Sequence, residues 1–281
     1  MSAAAHSFEL SGKALPPQSG GCAAALQRCA TVVTLPSATY TDTLRFTSWQ
    51  SFYDGDLQSV YALVVVPALF LGYRLMRGRP PHALRADAAD FVDGYAIVFA
   101  LETILDPLAT GPLVRALGLA AGGGTAVLVL FVLLGDFRVY LLVFGLIAIA
   151  HGHRWSAGLP LAAAATVVVP LIAYTADAAL HHAIAGVPDN SIWMVYEWLF
   201  VAVALGLRRI VPQQVGGDAR AAAYLRGLLL YVALYYALWA SSDVLIQLAG
   251  IDAGWLLRVL PNQLYYSGWV PVAYFAFFSR R

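Results

Sequence analysis

The sequence predicts an all-α fold, a polytopic transmembrane helical bundle of about seven spans, and three observations predict it. Of 281 residues, 60% are apolar and 12% charged, about half the charge of an ordinary soluble domain. Mean hydropathy is +0.70. Apolar stretches recur at the roughly 17 to 25 residues that cross about 30 Å of hydrocarbon as a helix, and none alternates with the period of two that a membrane strand needs.

Taken in order, residues 1–56 mix Gly, Ser, Pro and Ala with scattered polar groups and show no periodicity, which predicts a flexible tail. Cys22 and Cys29 lie in it. On a helix their Cα atoms would stand about 10 Å apart, beyond disulfide reach, so only irregular backbone on an oxidising face could bridge them. The bundle occupies residues 57–281, with apolar stretches at 57–76, 91–108, 126–150, 157–180, 191–211, 224–249 and 262–279. Residues 112–124 are too short and Gly-rich for a span and read as an eighth, re-entrant or interfacial helix ending at Gly122, Gly123 and Gly124. Trp49, Tyr53, Trp155, Trp193, Trp255, Tyr265 and Tyr266 fall near span ends, as interfacial anchors do.

Positive residues collect on the cytoplasmic side of a membrane. With the loop after the first span inside, Arg74, Arg77, Arg79, Arg85, Arg154, Arg208, Arg209, Arg220, Arg226, Arg280 and Arg281 are cytoplasmic, while Lys13, Arg28, Arg45, Arg115 and Arg258 lie outside. Eleven against five places the N-terminus outside and the C-terminus in the cytoplasm, as expected of a multi-pass protein of a bacterial inner membrane.

Several functions are excluded or disfavoured. The single lysine, Lys13, lies far from any apolar run, so no span offers a Schiff base to retinal. A net charge of +1 without a basic run gives nucleic acid nothing to bind. His151 with His153, and His181 with His182, fall on opposite sides of the membrane and cannot share an ion, so neither a metal nor a cofactor is expected. Nucleophile-elbow, phosphate-loop, dinucleotide and zinc-protease motifs are missing from the sequence.

The informative residues are acids placed within the apolar stretches: Glu102, Asp106, Asp136, Asp177, Glu197 and Asp243. A carboxylate at depth costs a few kcal/mol unless it faces a cavity, a partner or a proton. Glu102, Glu197 and Asp243 each fall about six residues, or about 9 Å, below the outer boundary. Asp177 is shallower, Asp136 lies near mid-membrane, and none lies deep in the inner half. Convergence on the outer half predicts a shared polar cavity open to the outside; separate neutralisation of each acid is the plainer alternative.

Local context ranks the acids. Arg138 follows Asp136 by two residues, about 200° round a helix, so each needs a partner on another span. Gly135 leaves room for close approach, and Ser241 and Ser242 give Asp243 nearby hydroxyls. Glu102 and Asp106 share a face one turn apart, and Pro107 is expected to disturb the helix end there. Asp136, Asp243, Glu102 and Glu197 are therefore the candidate acid and base groups, with Asp106, Arg138, Asp177 and Ser242 as candidate substrate contacts.

Four patches in order, D-P-L-A-T at 106–110, L-L-G-D at 133–136, S-S-D at 241–243 and N-Q-L-Y-Y at 262–266, resemble those of the bacterial lysoplasmalogenase-like family. Its members are polytopic membrane proteins that cleave a lipid vinyl ether. The resemblance implies that Asp136 and Asp243 are the reactive pair, and it adds Asn262 and Tyr266 to the substrate contacts. Asp106 stands where the family has a lysine.

Three functions compete. A membrane-embedded lipid-processing hydrolase or cyclase would use the carboxyl pairs on a lipid or isoprenoid amphiphile, with membrane lipid as its partner. A proton-linked transporter would use the same acids as a relay. A non-enzymatic subunit would bind another membrane protein or a pigment through its small-residue helix faces.

Overall fold

The computed structural model describes residues 48–78, 86–119 and 121–279, and every regular element among them is helical. The cysteines, and most of the stretch expected to be a flexible tail, lie outside the described residues. Within residues 1–56 the structure does show one helix, α1 (Trp49–Asp54). The Ser48 and Ser51 side chains bond reciprocally to each other's backbone N–H groups and so cap its start.

The long helices are α2 (Leu57–Arg77), α3 (Ala86–Ala116), α4 (Gly122–Ala150), α5 (Trp155–Ala183), α6 (Ser191–Ile210) and α7 (Ala219–Leu248). These six are long and apolar enough to cross a membrane, the build of a multi-pass helical membrane protein. An eighth helix, α8, runs unbroken through Ala253–Asn262, Gln263–Gly268 and Trp269–Phe278. It begins well before residue 262, where the apolar run starts, because its first turns point polar and charged groups inward. For the same reason its composition is less apolar than that of the six.

Residues 112–124 form no separate helix. Their first part extends α3 through a π-helical turn (Ala109–Leu113) to Ala116, and their last part opens α4. Between them Gly118 takes φ +58, the left-handed conformation that a tight reversal needs. Nor does Pro107 end α3. The helix passes through it, and the π turn absorbs the amide missing at Pro112.

Neighbours in sequence pack as neighbours in space from α2 to α8, and α8 returns against α2 and α3 to close the ring. The α4–α5 reversal is tight, since a Cβ at Gly158 would lie 2.6 Å from the Phe144 carbonyl carbon. Half of the apolar stretch of α4 and of α7 is buried, against 28% for α2, α5 and α6. These two helices supply Asp136, Arg138 and Asp243, and α3, α6 and α8 bring their charged partners to them.

Candidate functional site

Charge inside the bundle gathers in two layers. The layer on the side of α1, outer in the orientation expected from the positive residues, surrounds Arg258, which is 1% exposed. Its guanidinium bonds Asp243 of α7 and stands 3.7 Å from Glu197 of α6. Five residues into α8, six into α6 and five before the end of α7, these groups share one depth. Tyr53 of α1 and Trp255 of α8 lie against the same guanidinium, each ring centroid 5.9 Å away. Asn262 links the layer inward: its amide donates to the Tyr53 hydroxyl (3.0 Å), and its oxygen accepts from the Trp239 indole (2.8 Å).

The middle layer surrounds Arg138. Its guanidinium bonds Thr103 (2.9 Å), Glu102 (3.3 Å) and the Tyr265 carbonyl (2.8 Å), and stacks 4.0 Å over the Tyr265 ring. Asp136 points elsewhere, as a 200° separation requires. It accepts from the Tyr196 hydroxyl and, at 2.7 Å, from the Tyr236 hydroxyl. Asp106 accepts from Tyr266. Glu102 lies 14 residues before the end of α3 and Asp136 14 after the start of α4, about 21 Å along each helix. Glu102 is thus deeper than the apolar run alone implies, because α3 continues past that run to Ala116.

Five carboxyls (Glu102, Asp106, Asp136, Glu197 and Asp243) therefore sit with two guanidiniums in the interior. Both Glu197 oxygens, Asp243 Oδ2, Glu102 Oε1 and the Nε atoms of both arginines are buried without a hydrogen-bond partner among the described residues. Buried polar atoms are usually satisfied, and each such orphan calls for a proton, a water, a ligand or local strain to account for it.

Four π-helical turns flank these groups: Leu57–Tyr61 beside buried Gln58, Ala109–Leu113 after Asp106, Val244–Leu248 after Asp243, and Gln263–Gly268. The last buries the consecutive residues Tyr265, Tyr266 and Ser267.

Of the residues singled out from sequence, Asp136, Asp243, Glu102, Glu197, Asp106, Arg138, Ser242, Asn262 and Tyr266 all face this interior. Asp177 does not join them. It lies near the end of α5, bonded to the Ser191 hydroxyl and 3.5 Å from His181. Among the described residues no group of histidines, cysteines or acids could hold a metal ion.

Arg258 was expected in an outer loop and is instead the centre of the outer layer. The spacing Trp255, Arg258, Asn262, Tyr265, Tyr266, Trp269 follows one helical face and is the signal that locates it. Toward the end of the bundle where α2 meets α3, Asp93 of α3 forms a two-bond pair with Arg74 of α2, at 2.5 and 2.6 Å. The tyrosines that hold Asp136 carried no signal, because aromatic residues occur in every apolar stretch.

No protein-family model matches the chain, and no curated protein and no solved structure matches it either.

Proposed function

We propose that the protein crosses the membrane seven times, α8 being the seventh span, with its N-terminus outside. Within that frame it is an enzyme acting by acid and base chemistry on a lipid or isoprenoid amphiphile. Moving Arg258 from loop to interior strengthens the orientation, since eleven cytoplasmic positive residues then oppose Lys13, Arg28, Arg45 and Arg115.

One observation carries the chemistry: Glu197 and Asp243 share a single guanidinium, and three of their four oxygens have no hydrogen bond among the described residues. Two carboxylates beside one cation leave one negative charge, which a low-dielectric interior does not tolerate. A shared proton neutralises it. One carboxyl can then protonate a leaving oxygen while the other takes a proton from water, the division of labour that acid and base catalysis needs. In the resemblance-based version of this reading, Asp243 acts with Asp136, whose charge Tyr196 and Tyr236 disperse.

A proton-linked transporter is the second reading, favoured by the Arg74–Asp93 pair in the inner half. The deciding experiment incubates the protein in nanodiscs with total bacterial lipid and follows amphiphile loss by mass spectrometry. Turnover is expected to vanish in Asp243→Asn and Asp136→Asn while thermal unfolding stays cooperative. Turnover retained in both variants, or no amphiphile consumed by the unaltered protein, overturns the enzyme reading; proton-driven uptake of solute into vesicles would then favour the transporter.

A further inference from the structure

The outer layer is closed from the water side by α1. Tyr53 is fully buried and lies over Arg258, its ring 5.3 Å from that of Trp255, while its hydroxyl accepts from Asn262. At the other end of the helix the Trp49 amide donates to the Asp252 carboxylate at 2.9 Å, an exposed contact. Beneath this cover lie the orphaned oxygens of Glu197 and Asp243.

The cover is short. The helix has six residues, well short of the roughly 12 to 15 that hold a helix alone in water. Its main packing among the described residues is on the first half of α8 and the first turn of α2, to which Gly55 and Asp56 join it. Segments held by few buried contacts and by exposed hydrogen bonds open at low free-energy cost. One Asp54 oxygen is also buried without a partner among the described residues, so the closed position is imperfectly satisfied.

We propose that α1 is a lid, with Tyr53 as its plug, and that the polar head of an amphiphile reaches Glu197, Asp243 and Arg258 from the outer surface only when α1 swings away about Gly55 and Asp56. The proposal rests on the reading of that cluster as the reactive site, but its test needs no turnover. In a Cys22→Ser, Cys29→Ser background, Ser242→Cys places a thiol beside Asp243 at a buried position. A membrane-impermeant methanethiosulfonate added outside is expected to label it slowly, and at least tenfold faster once Tyr53→Ala removes the plug.

Labelling that is already fast with Tyr53 in place, or unchanged by its loss, overturns the lid. Should those variants fail to fold, hydrogen exchange on the unaltered protein decides. The α1 amides must exchange at least a hundredfold faster than those in the middle of α7, and equal protection makes α1 a fixed part of the bundle. A lid that passes these tests in a protein that consumes no amphiphile would leave the gating intact and remove only the chemistry.

Discussion

The Tyr265 hydroxyl occupies the space that a Cβ on Gly135 would fill, and its ring carbon Cζ lies 2.6 Å from that position. The ring cannot retreat easily. Trp239 and Tyr235 pack against it at 5.1 and 5.7 Å, and Arg138 stacks on its face. Gly135→Ala should cost about 1–3 kcal/mol of overpacking, although Ala gains about 1 kcal/mol over Gly in a free helix. In a Tyr265→Leu background, where both obstructing atoms are gone, the helix term alone remains and the same change should become neutral or stabilising. Thermal unfolding of the four proteins in detergent reads the change of sign; an equal cost in both backgrounds would mean that Tyr265 is not the obstruction.

Arg138 and Glu102 form the deepest pair of opposite charges. Removing only the arginine, as Arg138→Met, leaves a carboxyl in the interior without its cation, and breaking a buried pair in this way costs about 3–5 kcal/mol. Removing both charges, as Arg138→Met with Glu102→Gln, should cost less than the single arginine change. A double-mutant cycle on thermal unfolding measures the difference, and additive losses would show that the two groups do not stabilise each other.

Depth separates that pair from the Arg74–Asp93 pair. Arg74 is three residues from the end of α2, close enough for its long side chain to reach water when Asp93→Asn takes its partner away. The loss should therefore be about 1 kcal/mol, well under that of the Arg138 variant even though its hydrogen bonds are shorter. A loss as large as that of Arg138→Met would place the inner pair at functional depth and favour the transporter reading.

The difference between these pairs also explains what the sequence could and could not say. Length and hydropathy sufficed for six of the long helices, because the cost of exposing backbone to lipid is nearly independent of side-chain detail. They placed the last stretch at 262–279 and missed the first turns of α8, where the inward face from Trp255 to Trp269 mixes polar and aromatic side chains, so averaging along the chain hides it. Intramembrane acids were visible as isolated costs, whereas their partners were not. Nothing local to Asp136 announces Tyr196 and Tyr236, which are 60 and 100 residues away, and the fold alone brings them together. Asp177 shows that depth alone does not assign a partner: six residues before the end of α5, it bonds Ser191 rather than either guanidinium.

Asp54 makes the lid sensitive to pH. Burial pushes its carboxyl up to about 6, against the pull of the Arg258 charge and a hydrogen bond from Gln50. Among the described residues the charged groups around α1 are Arg258 and Asp252, with Asp56 held by Arg115 at the hinge; both arginines stay charged throughout the range concerned. Lifted into water, Asp54 would release its proton near pH 4. The closed lid therefore binds the proton more tightly than the open one. Its contribution to closure is complete below about pH 4, falls as the pH rises toward 6 and is gone above that. A nitroxide on Trp49→Cys, in the background lacking Cys22 and Cys29, should show a mobile fraction that grows between pH 4 and pH 7. Asp54→Asn keeps the neutral form at every pH and should hold the label immobile across the range. Mobility that rises equally in that variant would assign the dependence to another group.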